Sequence, residues 1–465
     1  MNTFIDLYNK NELSKSIDKY LVPHINEKKQ NAEVSTPSLL RNEMINKIPS
    51  DFWKTPKKVF EPCSGKGGFL IDIVDKFMNG LKEVIEDDEE RYKIIVEECL
   101  YYSDINKQNI FIANLLLDPY NKYKLNSNEG DTLKINIKEK WMIEGFDLVI
   151  GNPPYENVNA TGDNKLYLEF IKFSLDNLLD NKYLLFITPI NIKNYITNQN
   201  KNRSYINNFM DIKYLSFNTS NKYFPTISTY FSYFLIQKTI VKYCQTKVSY
   251  MRKNIIEYDD IIINENDNLP LCISNNDINI INKVSNLIKN NYEMFNIKKA
   301  LYIKNNKQVL QRIRISHIKN GDIKEKEDEI YKYKIIDKIN IKNPYPGIYY
   351  YNNNKMIEYG ITKAIMCTGG YLMPSYDEKG LYNLSDNMIY LLLNNYEEYN
   401  GLCILINSKL IKYLNKISMT DNIHGRDIVI QSMKKIDLSK IKSEDDIYKL
   451  YNINHDDINI INKTI

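Results

Sequence analysis

Six short apolar runs punctuate the first half of the chain: Lys58 to Glu61, Cys99 to Ser103, Phe146 to Ile150, Tyr183 to Ile187, Ile212 to Phe217 and Tyr230 to Gln237. Their lengths suit buried strands, and between several of them apolar residues recur at helical spacing. That spacing predicts helices over Gly68 to Met78, Lys107 to Leu117 and Leu166 to Leu179. Strand alternating with helix predicts a doubly wound α/β sheet, a fold that gathers ligands at the carboxyl ends of its strands. Ahead of the first strand, residues 1 to 50 read as polar and helical. Ser35 or Thr36 precedes Pro37, and Leu40, Met44 and Ile48 fall on one face, which predicts a helix capped by a hydroxyl with proline in its first turn. Beyond about Val241 the pattern loosens into irregular strands and polar stretches such as Asn264 to Asn268 and Asn352 to Asn354. A domain boundary is expected between 240 and 275, giving an α/β domain over 1–245 and a mixed α+β domain over 246–465. Within the second, Tyr399 to Ile417 is apolar at helical spacing, and Ile447 to Ile465 is a weaker helix.

Composition narrows the class without naming the chemistry. A chain of 465 residues with 43% hydrophobic and 26% charged positions suits a soluble protein of two or three domains. The longest apolar runs are far too short to span a bilayer, and the N-terminus lacks a basic region followed by an apolar stretch, so an intracellular, cytoplasmic protein is expected. Six scattered cysteines without a C-x-x-C pair and four histidines without ligand spacing predict reduced thiols and no metal. With 62 basic against 58 acidic residues, the net charge does not by itself point to nucleic acid. Phosphate contacts would need local clusters. Arg312, Arg314, Lys319, Lys324 and Lys326 form one candidate, although Asp322, Glu325 and Glu327 between them equally describe an ordinary charged surface.

The chemistry concentrates in Asn152-Pro153-Pro154-Tyr155, which directly follows an apolar run and contains the one Pro-Pro pair of the chain. An amino nitrogen on a planar base is a poor nucleophile because its lone pair is delocalised into the ring. Two acceptors aimed at its hydrogens would localise that pair, and the Asn152 side-chain oxygen and the Pro153 carbonyl are suited to the task. The Tyr155 ring would stack on the base. An Asn-Pro sequence at a strand end also reads as a plain turn. A second motif lies upstream in Val59-Phe60-Glu61-Pro62-Cys63-Ser64-Gly65-Lys66-Gly67-Gly68-Phe69-Leu70, a strand, a glycine loop and a helix. Gly65 and Gly67 would let the backbone turn tightly against a ligand. Leu70 breaks the dinucleotide pattern G-x-G-x-x-G, which disfavours a nicotinamide cofactor. Asp104 follows the second strand candidate.

Together these motifs, over roughly residues 31 to 240, resemble the γ-ordered S-adenosylmethionine-dependent DNA adenine N6-methyltransferases of restriction-modification systems. The resemblance implies a seven-stranded, Rossmann-like methyltransferase sheet followed by a C-terminal target-recognition domain. It implies that Thr36, Pro37, Glu61, Pro62, Cys63, Gly65 and Gly67 line the methionine end of S-adenosylmethionine. Asp104 would bind the ribose hydroxyls, Ile105 would lie beside the adenine, and Asp131 would accept from the cofactor's exocyclic amine. Either Asp could instead be a cap or turn residue. Asn152 through Tyr155 would receive a flipped-out adenine, and Phe224, with Tyr223 as the competing candidate, would cover its other face. The implied partners are double-stranded DNA and a cognate restriction endonuclease, with the chain itself a monomer. The chain departs from the family between Gly68 and Asp104, where an extra acidic stretch, Glu86 to Glu90, reads as a solvated helical insertion. No nuclease motif is evident, so methylation without cleavage is favoured. An RNA adenine or protein glutamine methyltransferase, an N4-cytosine enzyme and an inactive nucleic-acid-binding subunit are the alternatives.

Overall fold

The computed structural model describes residues 35–155, 165–192, 210–217, 223–224, 230–239, 245–263, 269, 273–285, 293–304, 309–311, 323–340, 343–368, 373–418, 429–430 and 432–465. The expected helical segment up to residue 34, the polar stretch Asn264 to Asn268 and the candidate phosphate contacts Arg312, Arg314 and Lys319 lie outside these residues. The chain divides into two compact units, Met1–Met251 with Ile256–Asn268, and Arg252–Ile255 with Leu269–Ile465.

In the first unit, helices α1 (Ser38–Ile45), α2 (Gly68–Gly80), α3 (Asp88–Ile94), α4 (Lys107–Leu117), α5 (Ile137–Trp141) and α6 (Leu166–Asp176) surround a sheet. Its strands are β1 (Val59–Glu61), β2 (Leu100–Asp104), β3 (Asn126–Glu129), β4 (Phe146–Gly151), β5 (Leu178–Pro189), β6 (Met210–Ser216), β7 (Phe231–Lys238), β8 (Gln245–Arg252) and β9 (Ile255–Ile262). They lie in the order β3-β2-β1-β4-β5-β7-β6-β8-β9. β1 runs parallel to β2 and β4, β4 parallel to β5, and β7 antiparallel to both β5 and β6. The α/β sheet is as expected, but among the described residues it has nine strands rather than seven. The two additions come from a hairpin whose turn residues, Lys253 and Asn254, both adopt positive φ, 46° and 66°. Two consecutive left-handed residues match the twist of flanking antiparallel strands.

The strands end up buried because helices cover both faces, and successive side chains point to opposite faces. Val59, Leu100, Leu148 and Ile150 meet Leu40 and Met44 of α1, Phe69, Leu70, Ile73 and Phe77 of α2, and Ile110 and Ala113 of α4. On the opposite face Phe60 stacks on Phe146 with centroids 4.6 Å apart, flanked by Trp141 of α5 and Phe173 of α6. Each such buried side chain contributes about 1.5–3 kcal/mol relative to exposure. β3 has no apolar period, being Asn-Ser-Asn-Glu. It is held instead by its ladder with β2 and by Asn126 Nδ2, which donates to the carbonyls of Glu97 and Leu100 at 2.7 and 3.0 Å. The acidic insertion is helical from Asp88, with Asp87 as its cap, where its side chain accepts from Glu90 N.

The second unit contains α7 (Asn275–Val284), strands β10 (Tyr302–Lys304), β11 (Val309–Gln311), β12 (Tyr333–Asn340), β13 (Asn343–Asn352), β14 (Lys363–Cys367), β15 (Ser375–Asp377), β16 (Asn383–Leu384) and β17 (Met388–Leu392), then α8 (Tyr396–Asn407), α9 (Lys409–Ser418), α10 (Glu444–Leu450) and α11 (His455–Thr464). Its strands form three small sheets, β10-β11, β13-β12-β16 and β15-β14-β17, which is the mixed α+β character expected. The apolar run Tyr399 to Ile417 is two helices. Ser408 between them is extended, and its Oγ accepts from Ile411 N at 3.2 Å. A buried Arg252–Asp277 pair at 2.6 Å organises the unit, because Asp277 also accepts from Ser274 Oγ and from Tyr413 Oη at 2.5 and 2.6 Å. So many donors offset the cost of burying the carboxylate.

Candidate active site

The glycine loop leaves the end of β1 and enters α2. Gly65 and Gly67 have φ of 49° and 86°, and a Cβ on Gly67 would lie 3.3 Å from the Ala113 Cβ of α4. The positive φ, together with that close approach, excludes a side chain. Asp104, at the end of the neighbouring strand β2, staples the loop: its Oδ2 accepts from Gly65 N at 2.8 Å, and its Oδ1 from Asn106 N at 2.8 Å and Asn109 Nδ2 at 3.3 Å. Burial pushes the Asp104 carboxyl up, and these three donors pull it back. Next to it the apolar side chain of Ile105 is 68% exposed. Burial likewise raises the Cys63 thiol, reinforced by Asp104 and Glu61.

Asp131 is differently placed. It caps the short turn Thr132–Lys134, its Oδ1 accepting from Leu133 N at 3.1 Å and its Oδ2 lying 3.0 Å from Lys134 Nζ. The neighbouring Thr132, not singled out by the sequence, is buried with Oγ1 at 2.7 Å from both the Pro62 carbonyl and Ser103 Oγ. It ties the loop after β1 to β2.

The tetrapeptide follows β4, adjacent and parallel to β1, so both motifs emerge side by side along the carboxyl-end edge of the strands, in the interior of the sheet. A Cβ on Gly151 would lie 3.7 Å from Glu61 Cγ and from Pro62 Cδ, a measure of how closely the two motifs approach. Asn152 Nδ2 donates to Thr36 Oγ1 at 3.1 Å, while Asn152 Oδ1 accepts from Tyr155 Oη at 2.8 Å. The Thr36 hydroxyl therefore serves Asn152. The N-cap of α1 is Pro37, which makes no side-chain cap bond, so the expected hydroxyl cap is replaced by this contact. Burial pushes the Tyr155 phenol well above its ordinary range, against the pull of Asn152. Tyr155 and Phe224 meet the same side chain, Phe231 at the start of β7, with centroids 5.3 and 5.0 Å away. Phe224 is 6% exposed. Tyr223 turns its hydroxyl to Glu43 of α1, whose other oxygen accepts from Tyr233 at 2.8 Å. Pro225 and its successors up to residue 229 lie outside the described residues.

Behind this edge lies a buried charge cluster with no sequence signature. Arg41 of α1 donates from Nε to Asp72 Oδ2 and from a terminal nitrogen to the Thr36 carbonyl, both at 2.6 Å. Glu61 is 2% exposed, and its Oε2 has no hydrogen-bond partner among the described residues; Ser64 Oγ is a second such atom. Burial drives the Glu61 carboxyl well above its usual range, Arg41 draws it back, and Asp104 and Asp72 add to the rise. Buried polar atoms without partners invite a ligand that supplies them. An amino acid moiety with donors of its own fits this need, and the exposed Ile105 beside Asp104 fits an apolar ring with a hydroxylated sugar.

The model of the N-6 DNA methylases matches residues 16–189. No curated protein matches the chain. Among solved structures it is similar to the type IIL restriction-modification enzyme MmeI in complex with DNA, at 10% identity and a TM-score of 0.48 over 94% of this chain and 66% of that one. The type IIG restriction endonuclease BpuSI is similar at 12% identity and a TM-score of 0.44, covering 96% and 63% of the two chains. The M protein of the type I restriction enzyme EcoKI matches at 14% identity and a TM-score of 0.34, over 47% of this chain and 48% of that one. The chain thus spans about half the length of that M protein. Within the matched residues the glycine loop precedes Asn152-Pro153-Pro154-Tyr155, whereas Phe224 and Phe231 lie beyond them. Among the described residues no helix is long and apolar enough to cross a membrane.

Proposed function

We propose that the chain is a site-specific DNA methyltransferase that uses S-adenosylmethionine to methylate N6 of an adenine flipped out of duplex DNA. The observation that carries this reading is the junction of the two motifs, with Asn152 at the end of β4 held between Thr36 and Tyr155 and the glycine loop at the end of the adjacent β1. S-adenosylmethionine, when bound, supplies an electrophilic sulfonium methyl. Thr36, Pro37, Glu61, Pro62, Cys63, Gly65 and Gly67 hold its methionine end, Glu61 Oε2 and Ser64 Oγ gaining partners there. Asp104 and Ile105 face its nucleoside. Asp131, occupied as a cap, is the weakest member of this set.

On the target side, Asn152 Oδ1 and the Pro153 carbonyl accept the two hydrogens of the adenine amine and localise its lone pair, an electrostatic contribution that is largest in a dry site. Tyr155 covers one face of the base and Phe224 the other, replacing the stacking lost on flipping. The amine loses its proton after attack, so no side chain at this site has to act as general base. The second unit, Arg252–Ile255 with Leu269–Ile465, reads the DNA sequence, and a cognate endonuclease acts on the same site.

The test is transfer of tritiated methyl from S-adenosylmethionine to duplex DNA. Transfer is expected with the wild type, falling about 10²- to 10³-fold in Asn152→Ala as the acceptor is lost. Sequencing the modified bases in DNA from expressing cells then identifies base and context. Label appearing in RNA, protein or cytosine instead of DNA adenine would replace the proposal with that alternative.

A further inference from the structure

The buried cluster behind the site forms one continuous chain of contacts. Asp72 of α2 accepts from Arg41 Nε, Arg41 also donates to the Thr36 carbonyl, the Thr36 hydroxyl accepts from Asn152 Nδ2, and Asn152 Oδ1 faces Tyr155. Arg41 and Asp72 are 2% and 5% exposed at their side chains. An ion pair so deep is costly to keep and contributes little net stability, so a role in fixing geometry is the better account of it. The planar guanidinium suits that role because it presents several donors in a rigid fork, which lets one side chain grip a carboxylate and a carbonyl at once. It is also wedged against the start of α2, where a Cβ on Gly68 would come within 3.0 Å of the guanidinium carbon.

We infer that Arg41 is a positioning residue for methyl transfer, acting through Thr36 to fix which end of the Asn152 amide faces the target. The side-chain amide has two ends of similar shape and opposite polarity. With Nδ2 held by Thr36 Oγ1, Oδ1 turns toward the pocket as an acceptor. Turned the other way, Asn152 would present a donor to an amine that has only hydrogens to offer. Thr36 can hold Nδ2 only if its own backbone is held, and Arg41 holds it by the carbonyl. Because Asp72 and Gly68 belong to the helix that follows the glycine loop, the same clamp links the methyl-donor loop to the acceptor.

This inference rests on the proposed methyltransferase reading, and the experiment separates the two. Arg41→Lys keeps the charge beside Asp72 but cannot span both partners, Thr36→Val removes the hydroxyl, and Thr36→Ser keeps it. The side-chain amide resonance of Asn152, assigned by its loss in Asn152→Ala, reports the clamp without any turnover. In Arg41→Lys and Thr36→Val it is expected to shift, and single-turnover transfer at saturating S-adenosylmethionine is expected to fall about tenfold to a hundredfold. Cofactor affinity measured by calorimetry is expected to hold in Arg41→Lys, and Thr36→Ser is expected to keep the wild-type resonance and rate. An unmoved resonance in Arg41→Lys overturns the inference, as does a loss of cofactor affinity with the single-turnover rate preserved. If the wild type transfers no methyl to DNA, the functional reading fails, and the resonance alone still decides whether Arg41 orients Asn152.

Discussion

Tyr155 donates its hydroxyl to Asn152 Oδ1 at 2.8 Å, so the tyrosine proposed to stack on the base also occupies the acceptor proposed for the base's amine. The two contacts compete. As the target enters, its N–H must displace the phenol, and burial keeps that phenol protonated and able to donate. Tyr155→Phe keeps the ring and removes the competitor, so kcat/KM for DNA is expected to equal or exceed that of the wild type. Tyr155→Ala removes the ring and should lose the stacking contribution of about 1–3 kcal/mol. Steady-state kinetics on one DNA duplex would decide, and a Phe variant as impaired as the Ala variant would show that the hydroxyl has a positive role.

Asp104 accepts two backbone N–H groups and one side-chain amide, including that of Gly65 across the strand ends. Its replacement by Ala would leave those donors buried without partners, at about 1–3 kcal/mol each where water cannot reach. Asp104→Ala is expected to lower the denaturant midpoint and to weaken cofactor binding together, since the same carboxylate shapes the loop. Calorimetry and equilibrium unfolding on the same preparation test this. Weakened binding with unchanged stability would separate ligand contact from loop stapling.

The sheet and the placement of both motifs at strand ends were legible because they are encoded locally. A buried strand is an apolar run, and a glycine loop is contiguous. What was not legible depends on partners distant in sequence. Nothing local to Arg41 marks it as buried until Asp72 is brought beside it. Thr36 reads as a helix cap, and only folding shows that its hydroxyl turns to a residue 116 positions away. Phe231 is one apolar residue in a strand of them, and its place between Tyr155 and Phe224 is set by β7 pairing with β5. β3 carries no apolar period at all, being an edge strand whose side chains make their own hydrogen bonds.

Gly67 combines a left-handed backbone with a Cβ position 3.3 Å from Ala113, so Gly67→Ala meets both strain and crowding. The backbone penalty alone is of the order of 1–2 kcal/mol. The variant is expected to unfold at lower denaturant and to bind S-adenosylmethionine more weakly, whereas Gly130→Ala, where no atom lies within 4 Å of the added Cβ, probes the backbone effect of a positive φ without the crowding. Equal losses in the two variants would show that contact with Ala113 contributes nothing.

Glu61 gives the site a pH signature. Burial holds its folded-state pKa well above the ordinary carboxylate range, with Arg41 opposing the rise. An unfolded Glu titrates near about 4.3. Below that value both states carry the proton and the group contributes no penalty. As pH rises, the unfolded chain releases its proton first, so the folded state loses relative stability until the pH passes the folded-state pKa. Glu61→Gln has no proton to lose. The stability of the wild type relative to Glu61→Gln is therefore expected to fall from about pH 4 upward, read from denaturant midpoints across the range. A difference independent of pH would mean that Arg41 cancels the effect of burial and leaves the folded and unfolded pKa values equal, and one that rises with pH would mean that Arg41 holds Glu61 ionised. Repeating the titration with S-adenosylmethionine carries the argument to the site: a ligand ammonium beside Oε2 would favour the ionised carboxylate and flatten the slope, and an unchanged slope would place the ligand's charge elsewhere.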